Sequence, residues 1–341
     1  MAVIANSNNN LTLADWAKRT DPEGRVALVA ELLSQSNEIL EDCVFKEGNL
    51  PTGDRVVVRT GLPTAYWRSL NQGIPNSKST TAQVDEACGM LEARSEVDKD
   101  LAMLNGNTAQ FRLSEDNAFL EAMNQTQATT MFYGNPATDP KQFLGLATRY
   151  SSTSAGNGTN IIPGGASSGA LNTSVYLVVW GDNTVYCPFP KGSKAGLVHE
   201  DLGEQTVYDG VNRMQAYATR YQWKSGLVVK DWRYVVRIPN LLVADIVAGT
   251  GTQAASSGTQ LTKLMMRAMY KIPNLDSGRA AFYMNRTVHS GLAVQSLDRS
   301  QAALAVQPAL SQFGTARNYL SFQGIPIRRV DCLLNTEAVV S

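Results

Sequence analysis

Apolar positions recur at helical spacing through the first part of the chain. Between residues 11 and 45 they follow intervals of three and four. Thr12 or Asp15 could cap a short first helix, and Asp21-Pro22-Glu23 places a proline and two acids where a second helix would begin. An amphipathic segment of this kind needs an apolar surface, either on its own chain or on a neighbouring one. The pattern therefore predicts a helical N-terminal arm.

Helical patterns return at three later places. Ser114 is a favourable N-cap, and the two acids that follow it suit the positive end of a helix. An apolar stripe continues from there to Phe132, and Gly134-Asn135-Pro136 ends it. The pattern predicts a long helix over residues 114–132 and shorter helices over residues 259–270 and 287–297.

The segment between the first two helical regions has the character of a long β-hairpin. Residues 55–60 have the β-branched content of a strand, and residues 80–101 form a second extended arm beyond a turn region at 73–76. The second arm has too few apolar residues to line a core face. Such a hairpin bridges solvent or lies on another chain. A helix over part of residues 84–104 is the competing interpretation.

The second half of the chain is rich in strands and loops. Residues 175–180 have the composition of a buried strand, and a Gly-Asp-Asn turn before residues 184–187 predicts a hairpin there. Loops are predicted at 151–172 and 249–258. Because helices and strands do not alternate regularly and no fixed repeat occurs, the pattern predicts an α+β fold. Further strands are predicted at 216–224, 226–230, 232–238, 280–284 and twice within 320–334.

Composition and charge argue against several classes of protein. The 341 residues include 30 Lys plus Arg and 30 Asp plus Glu, so the chain lacks the basic excess of proteins that grip nucleic acid. The first ten residues do not resemble a signal peptide, and no uncharged apolar stretch reaches the roughly 18 residues of a membrane helix. The four cysteines are widely spaced, which favours reduced thiols over a disulfide framework.

Motifs for catalysis or metal binding are weak. Residues 73–80 end like a phosphate-binding loop, but Ser77 replaces the second glycine that would turn backbone amides onto a phosphate. His199-Glu200-Asp201 lacks a further ligand at metal-binding spacing and is predicted to be a surface loop. His289 has no nucleophile motif beside it. No catalytic, cofactor or metal residue is predicted, while a hydrolase site built from either histidine and distant acids stays open as an alternative.

An ordered set of motifs resembles a known family. The set covers roughly residues 15–338 and has the following members: residues 59–73, 77–84, Tyr133-Gly134-Asn135, Arg149-Tyr150, residues 190–197, Arg233-Tyr234-Val235, Phe282-Tyr283-Met284-Asn285 and residues 322–328. These motifs resemble the major capsid proteins of short-tailed bacteriophages of the epsilon-fifteen and Bordetella-phage type.

The resemblance implies a Hong Kong 97-type capsid fold. Residues 1–50 would be the N-terminal arm, residues 51–105 the extended hairpin called the E-loop, residues 106–150 the peripheral domain with its spine helix, and residues 151–341 mostly the axial domain. The implied function is self-assembly, as hexamers and pentamers, into an icosahedral shell that encloses double-stranded DNA without sequence-specific binding. A bacterial encapsulin shell, which shares the fold, is the alternative within this class.

The resemblance also implies partners, a location and contact residues. Scaffolding, portal and decoration proteins would be partners, and the chain would assemble in the host cytoplasm and reside in the virion, without enzyme activity, cofactor, metal or membrane. Six residues along the expected E-loop are candidates for contact between subunits: Arg59, Trp67, Arg68, Asp85, Glu86 and Arg94.

Overall fold

The fold is a mixture of eight α-helices and fourteen strands within the residues that the structure describes. The structure is a computed structural model and describes residues 11–18, 33–166, 171–208, 212–247, 261–295, 304–310 and 316–341. The helices are α1 (Leu13–Lys18), α2 (Ile39–Asp42), α3 (Lys99–Met103), α4 (Thr108–Tyr133), α5 (Leu146–Arg149), α6 (Val243–Val247), α7 (Leu261–Lys271) and α8 (Arg286–Gln295). The first seven strands are β1 (Phe45–Glu47), β2 (Gly53–Gly61), β3 (Thr80–Ala87), β4 (Gly89–Asp98), β5 (Asn172–Trp180), β6 (Val185–Phe189) and β7 (Leu197–Tyr208). The others are β8 (Arg213–Ser225), β9 (Val228–Val229), β10 (Val235–Leu242), β11 (Arg279–Met284), β12 (Leu304–Leu310), β13 (Ala316–Phe322) and β14 (Ile325–Arg329).

The chain divides into two compact units. The described residues of the larger unit fall within 37–89, 129–195 and 225–341, and those of the smaller unit fall within 11–36, 90–128 and 196–224. Neither unit is continuous in sequence, so segments far apart in the chain build each core.

The larger unit is built on a nine-stranded sheet. Seven of its strands follow the order β1-β6-β5-β11-β14-β13-β12, and β10 and β9 complete it by pairing with β5 and β6. All nine residues of β5 are buried, and β10 and β11 pair with it along its two edges. Apolar side chains of α6, α7 and α8 pack on this sheet. The predicted apolar face of α7 is confirmed, since Leu261, Leu264, Met265 and Ala268 are all buried.

The predicted hairpin over residues 175–187 is wrong. Strand β6 meets β5 only at the pair Trp180–Val185, in parallel orientation, and continues away to pair with β1 and β9. The turn residues 181–183 are present, but both edges of β5 are already occupied by β10 and β11. Tertiary pairing therefore overrides the local turn signal.

The smaller unit combines a three-stranded sheet of order β4-β8-β7 with residues 108–128 of α4. Val97, Ala102 and Phe111 form its small core, and Trp16 of α1 packs against them. Thr12 caps α1 as predicted: its hydroxyl accepts from the Asp15 amide at 3.3 Å, and the Asp15 carboxylate accepts from the Thr12 amide at 3.1 Å. The helix predicted from residue 21 lies outside the described residues up to residue 32.

The long central helix begins earlier than predicted. Helix α4 starts at Thr108, so Ser114 lies inside it and is not its N-cap. Burial of Phe111 against Val97 and Ala102 extends the helix toward its N-terminus. A serine inside a helix costs only about 0.5 kcal/mol relative to alanine, which such burial readily exceeds. The predicted end before Gly134 is confirmed.

Several strand and helix predictions are confirmed. Residues 80–98 are extended, as strands β3 and β4, and the competing helix is limited to α3. Strands β8, β10 and β11 and helix α8 cover most of their predicted ranges, while only two residues of the predicted strand 226–230 pair as β9. In the segment predicted as a loop at 151–172, the described residues 151–166 and 171 contain no strand or helix apart from one short 3-10 turn. It is not wholly exposed, since Asn160, Ile161 and Ile162 are buried.

Candidate assembly hairpin

A two-stranded hairpin extends from the larger unit with little support from its own chain. Strands β2 and β3 pair antiparallel from Gly53–Ala87 at one end to Gly61–Thr80 at the other. Val56 is buried at the near end, where it packs against Tyr186 and Val228. In contrast, every residue from 62 to 85 is exposed. We call residues 62–79 the hairpin tip and residues 53–55 with 85–87 the hairpin root.

The hairpin tip exposes large apolar side chains. Trp67 is fully exposed, with 104% relative accessibility, and Leu70 is 93% exposed. Leu62, Tyr66 and Ile74 are also exposed. Scattered apolar residues are normal on a surface, but five large exposed ones within eighteen residues make the hairpin tip a candidate site of protein contact.

The charge of the hairpin between residues 56 and 84 has one sign. No acid occurs between residues 56 and 84, whereas Arg59, Arg68 and Lys78 lie in this range. All three are exposed, and no salt bridge is found for any of them among the described residues. The hairpin tip therefore presents apolar surface together with positive charge.

The hairpin root is held by hydrogen bonds to the rest of the larger unit. Arg149 of α5 donates two bonds of 2.6 Å to the carboxylate of Glu86. Tyr186 of β6 donates through its hydroxyl to Asp54 at 2.5 Å. Gly53 allows the two strands to approach closely, since a Cβ at this position would lie 2.0 Å from the Glu86 carbonyl oxygen.

The six candidate contact residues do not form one group. Arg59, Trp67 and Arg68 lie on the exposed part of the hairpin. Asp85 is exposed and accepts two hydrogen bonds from Arg55, whereas Glu86 points to Arg149 inside the larger unit. Arg94 lies outside the hairpin, on β4 of the smaller unit, where it bonds Gln205 and Glu96.

Sequence reasoning missed residues at both ends of the hairpin. Leu62, Leu70 and Ile74 could have been found from their apolar type within a stretch rich in Gly, Pro and Asn. Arg149 gave no such signal, because it is 63 positions from Glu86 in the chain. Only the tertiary fold brings these two residues together.

The two histidines lie apart from the hairpin. His199 is on β7 beside the ring of Tyr221, at 5.2 Å between centroids, so the prediction that His199-Glu200-Asp201 forms a surface loop is wrong. The long pairing of β7 with β8 extends the strand through these residues. His289 is on α8, and burial, followed by the charge of Arg329, lowers its pKa.

No metal-binding group of three or more His, Cys, Asp or Glu side chains occurs among the described residues. No helix within the described ranges is long and apolar enough to cross a membrane.

Comparison with known proteins identifies the class of this fold. The family model for major capsid protein GP7 matches residues 21–341. A chain in the near-atomic structure of bacteriophage Epsilon15 is 31% identical, with a TM-score of 0.73 over 100% of this chain and 99% of that one. The capsid of bacteriophage JBD30 is 9% identical, with a TM-score of 0.47 over 89% and 92% of the two chains. The SrpI encapsulin of Synechococcus elongatus PCC 7942 is 9% identical, with a TM-score of 0.39 over 63% and 91%. No curated protein matches the chain.

A phage capsid shell protein is the class that these matches define. The chain belongs to the major capsid protein GP7 family. The capsid fold and the shell function that the sequence motifs implied are therefore confirmed. The encapsulin is only a distant structural neighbour.

Proposed function

We propose that copies of this chain form an icosahedral shell around phage double-stranded DNA, and that the hairpin reaches onto a neighbouring copy. One observation carries the proposal: residues 62–85 are exposed without exception, and they include Trp67 and Leu70. Exposed apolar surface of this kind is unfavourable in water unless another chain covers it. Closed rings of one chain use head-to-tail contacts, which an extended arm can make on the next copy.

The proposed parts of the shell subunit follow the four regions of the sequence. Residues 1–50 act as the N-terminal arm, residues 51–105 contain the E-loop, and residues 106–150 contribute the peripheral domain with α4 as its spine helix. Residues 151–341 contribute mostly the axial domain. The hairpin β2–β3 would be the E-loop itself, because it is the extended arm within the second region.

The proposed partners of the chain are further copies of itself, with which it forms hexamers and pentamers. Scaffolding, portal and decoration proteins are proposed as additional partners. Assembly takes place in the host cytoplasm, and the protein acts without catalysis. The shell encloses DNA without reading its sequence, which agrees with equal numbers of basic and acidic residues. Arg59, Trp67 and Arg68 make the proposed contact, and Asp85 and Arg94 contribute to it through exposed charge. Glu86 contributes from within the subunit.

Replacement of Trp67 by alanine tests the proposed contact. Trp67→Ala should leave a folded, soluble subunit, because the side chain has no contacts to lose within its own chain. The variant should fail to form shells when purified subunits are examined by electron microscopy and sedimentation. Trp67→Phe is the matched control, since it keeps an aromatic side chain, and it should retain assembly. Normal particles from Trp67→Ala would contradict the proposal.

A second test addresses catalysis. Simultaneous replacement of His199 and His289 by asparagine should leave shell formation unchanged, because neither residue lies on the hairpin. A hydrolase that depends on either histidine would lose its activity in this variant. Hydrolysis that disappears in the double variant would contradict the absence of catalysis.

A further inference from the structure

Two acidic side chains lie opposite each other at the hairpin root. Asp54 of β2 pairs directly with Glu86 of β3 in the antiparallel register. Directly opposed residues of an antiparallel pair point to the same face, and like charges in this position repel. Asp54 is buried and the Glu86 side chain is only 11% exposed, so water screens this repulsion poorly. The pair therefore needs partners from outside the hairpin.

Arg149 supplies the cation for the Glu86 carboxylate. Its guanidinium forms a two-bond fork to Glu86 and is itself only 12% exposed. The same guanidinium donates to the carbonyl of Leu227 at 2.9 Å and to that of Leu144 at 3.3 Å. These two carbonyls belong to the rest of the larger unit and hold the guanidinium in place. The planar fork therefore fixes both the orientation of the Glu86 carboxylate and its distance from Arg149.

Tyr186 holds the other strand at the same level. Burial, and then the carboxylate of Asp54, raise the pKa of Tyr186, so its hydroxyl stays protonated as a donor. Asn49 adds two hydrogen bonds of 2.8 Å to the backbone of Arg55, and the Cys88 amide donates to the Thr52 carbonyl at 2.9 Å. Both strands are thus fixed to the larger unit at one end, while their other end is free.

Small rotations at such a root become large displacements at the tip. Strand β2 has nine residues. At about 3.4 Å per residue it extends about 30 Å, so a rotation of about 10° at the root moves the tip by about 5 Å. A displacement of this size is about the distance between neighbouring strands and exceeds what a packed interface tolerates.

We propose that Arg149 is a positioning residue that sets the direction of the hairpin through Glu86 and so determines where the tip meets the next copy. This inference rests on the proposed function of the hairpin. In this proposed role, Arg149 does not itself contact the neighbouring copy. The geometry of the shell, rather than the stability of the subunit, depends on its two-bond fork.

Two variants of the full chain separate the effect of hairpin direction from the effect of the charge on Arg149. Arg149→Lys keeps the positive charge beside Glu86 but loses the planar fork. The double variant Arg149→Met with Glu86→Gln removes both members of the Arg149–Glu86 ion pair, so that neither residue is left as a charge without its partner. Both variants should unfold at close to the wild-type temperature, yet their shells should vary in diameter or fail to close under electron microscopy.

Hydrogen exchange on unassembled subunits gives a readout that does not depend on assembly. Loss of the fork should speed exchange at the Cys88 amide and at the β2–β3 amides next to it by roughly tenfold. Amides of the buried strand β5 should exchange as in the wild type. The Trp67→Ala test could contradict the proposed contact between the hairpin tip and a neighbouring copy. Hydrogen exchange would still decide whether Arg149 orders the hairpin root.

The neighbouring ion pair provides a matched control. Arg55 and Asp85 are opposed one register position further along the hairpin and form a two-bond fork of similar length, but both are exposed. Arg55→Gln should leave root exchange and shell diameter unchanged. Uniform shells and wild-type exchange in both Arg149 variants would overturn the proposal. Failure of both variants to fold would also overturn the proposal. The Arg149–Glu86 ion pair would then be required for folding of the subunit and not for the direction of the hairpin.

Discussion

Two tryptophans show how differently this chain uses the same side chain. Trp180 ends the buried strand β5, is 1% exposed and donates from its indole nitrogen to the Tyr283 hydroxyl at 2.7 Å. Trp67 at the hairpin tip is fully exposed. The first contributes to the folding of one subunit, and the second would be covered by a second copy in the proposed shell. Residue type therefore predicts that a side chain will be buried but not which chain will bury it.

The largest expected contrast in stability is between these two tryptophans. Trp180→Ala should lower the free energy of unfolding by about 3–5 kcal/mol, because it leaves a cavity and removes the hydrogen bond to Tyr283. Trp67→Ala should change it by less than about 0.5 kcal/mol. Chemical denaturation of unassembled subunits measures both values. Equal losses would show that the subunit buries the hairpin tip in solution.

A buried ion pair should give the next largest effect. Arg237 and Glu337 in the larger unit are each 5% exposed and bond at 2.9 Å, and Tyr133 donates to the same carboxylate at 2.5 Å. Glu337→Gln should cost about 3 kcal/mol of unfolding free energy, because it leaves the guanidinium without a counterion. Glu41→Gln, at an exposed position, is the control and should unfold like the wild type. A Glu337→Gln chain of unchanged stability would contradict this account.

Partial removal of apolar surface from the tip should act on assembly and not on folding. Burial of a leucine side chain is worth about 1.5–3 kcal/mol, so Leu70→Ser should raise the concentration needed for assembly by roughly tenfold or more. Light scattering during titration of the subunit concentration measures this threshold. Leu70→Met, which keeps most of the apolar area, should assemble nearly as the wild type does. A loss of thermal stability in Leu70→Ser would contradict the assignment of Leu70 to an assembly surface.

The smallest expected effect is a dependence of stability on pH. Burial and Arg329 lower the pKa of His289 in the folded chain, so the unfolded chain binds a proton first as the pH falls. The stability of the larger unit should therefore decrease as the pH drops below about 6.5, the ordinary pKa of histidine. His289→Asn should reduce this slope. Denaturation midpoints at pH 7 and pH 5 test the difference.

Local patterns predicted much of the secondary structure but not its pairing. The apolar spacing of Leu261, Leu264 and Met265 predicted α7 and its buried face. The turn at residues 181–183 suggested a hairpin, yet β5 pairs with β10 and β11 instead. Helix α4 begins six residues before Ser114, because Phe111 is buried in the smaller core. These errors occur where contacts between distant segments outweigh a local preference.

The sequence alone indicated a capsid protein through its ordered motifs, which resemble a known family, and it indicated a long hairpin through its β-branched and charged residues, because such patterns are properties of the chain before it folds. The tertiary structure alone decided how that hairpin is held. Glu86 and Arg149 meet across 63 positions, and Asp54 and Tyr186 meet across 132. A hydrogen bond acts over about 3 Å in space regardless of separation along the chain, so only the fold determines which charged groups share it.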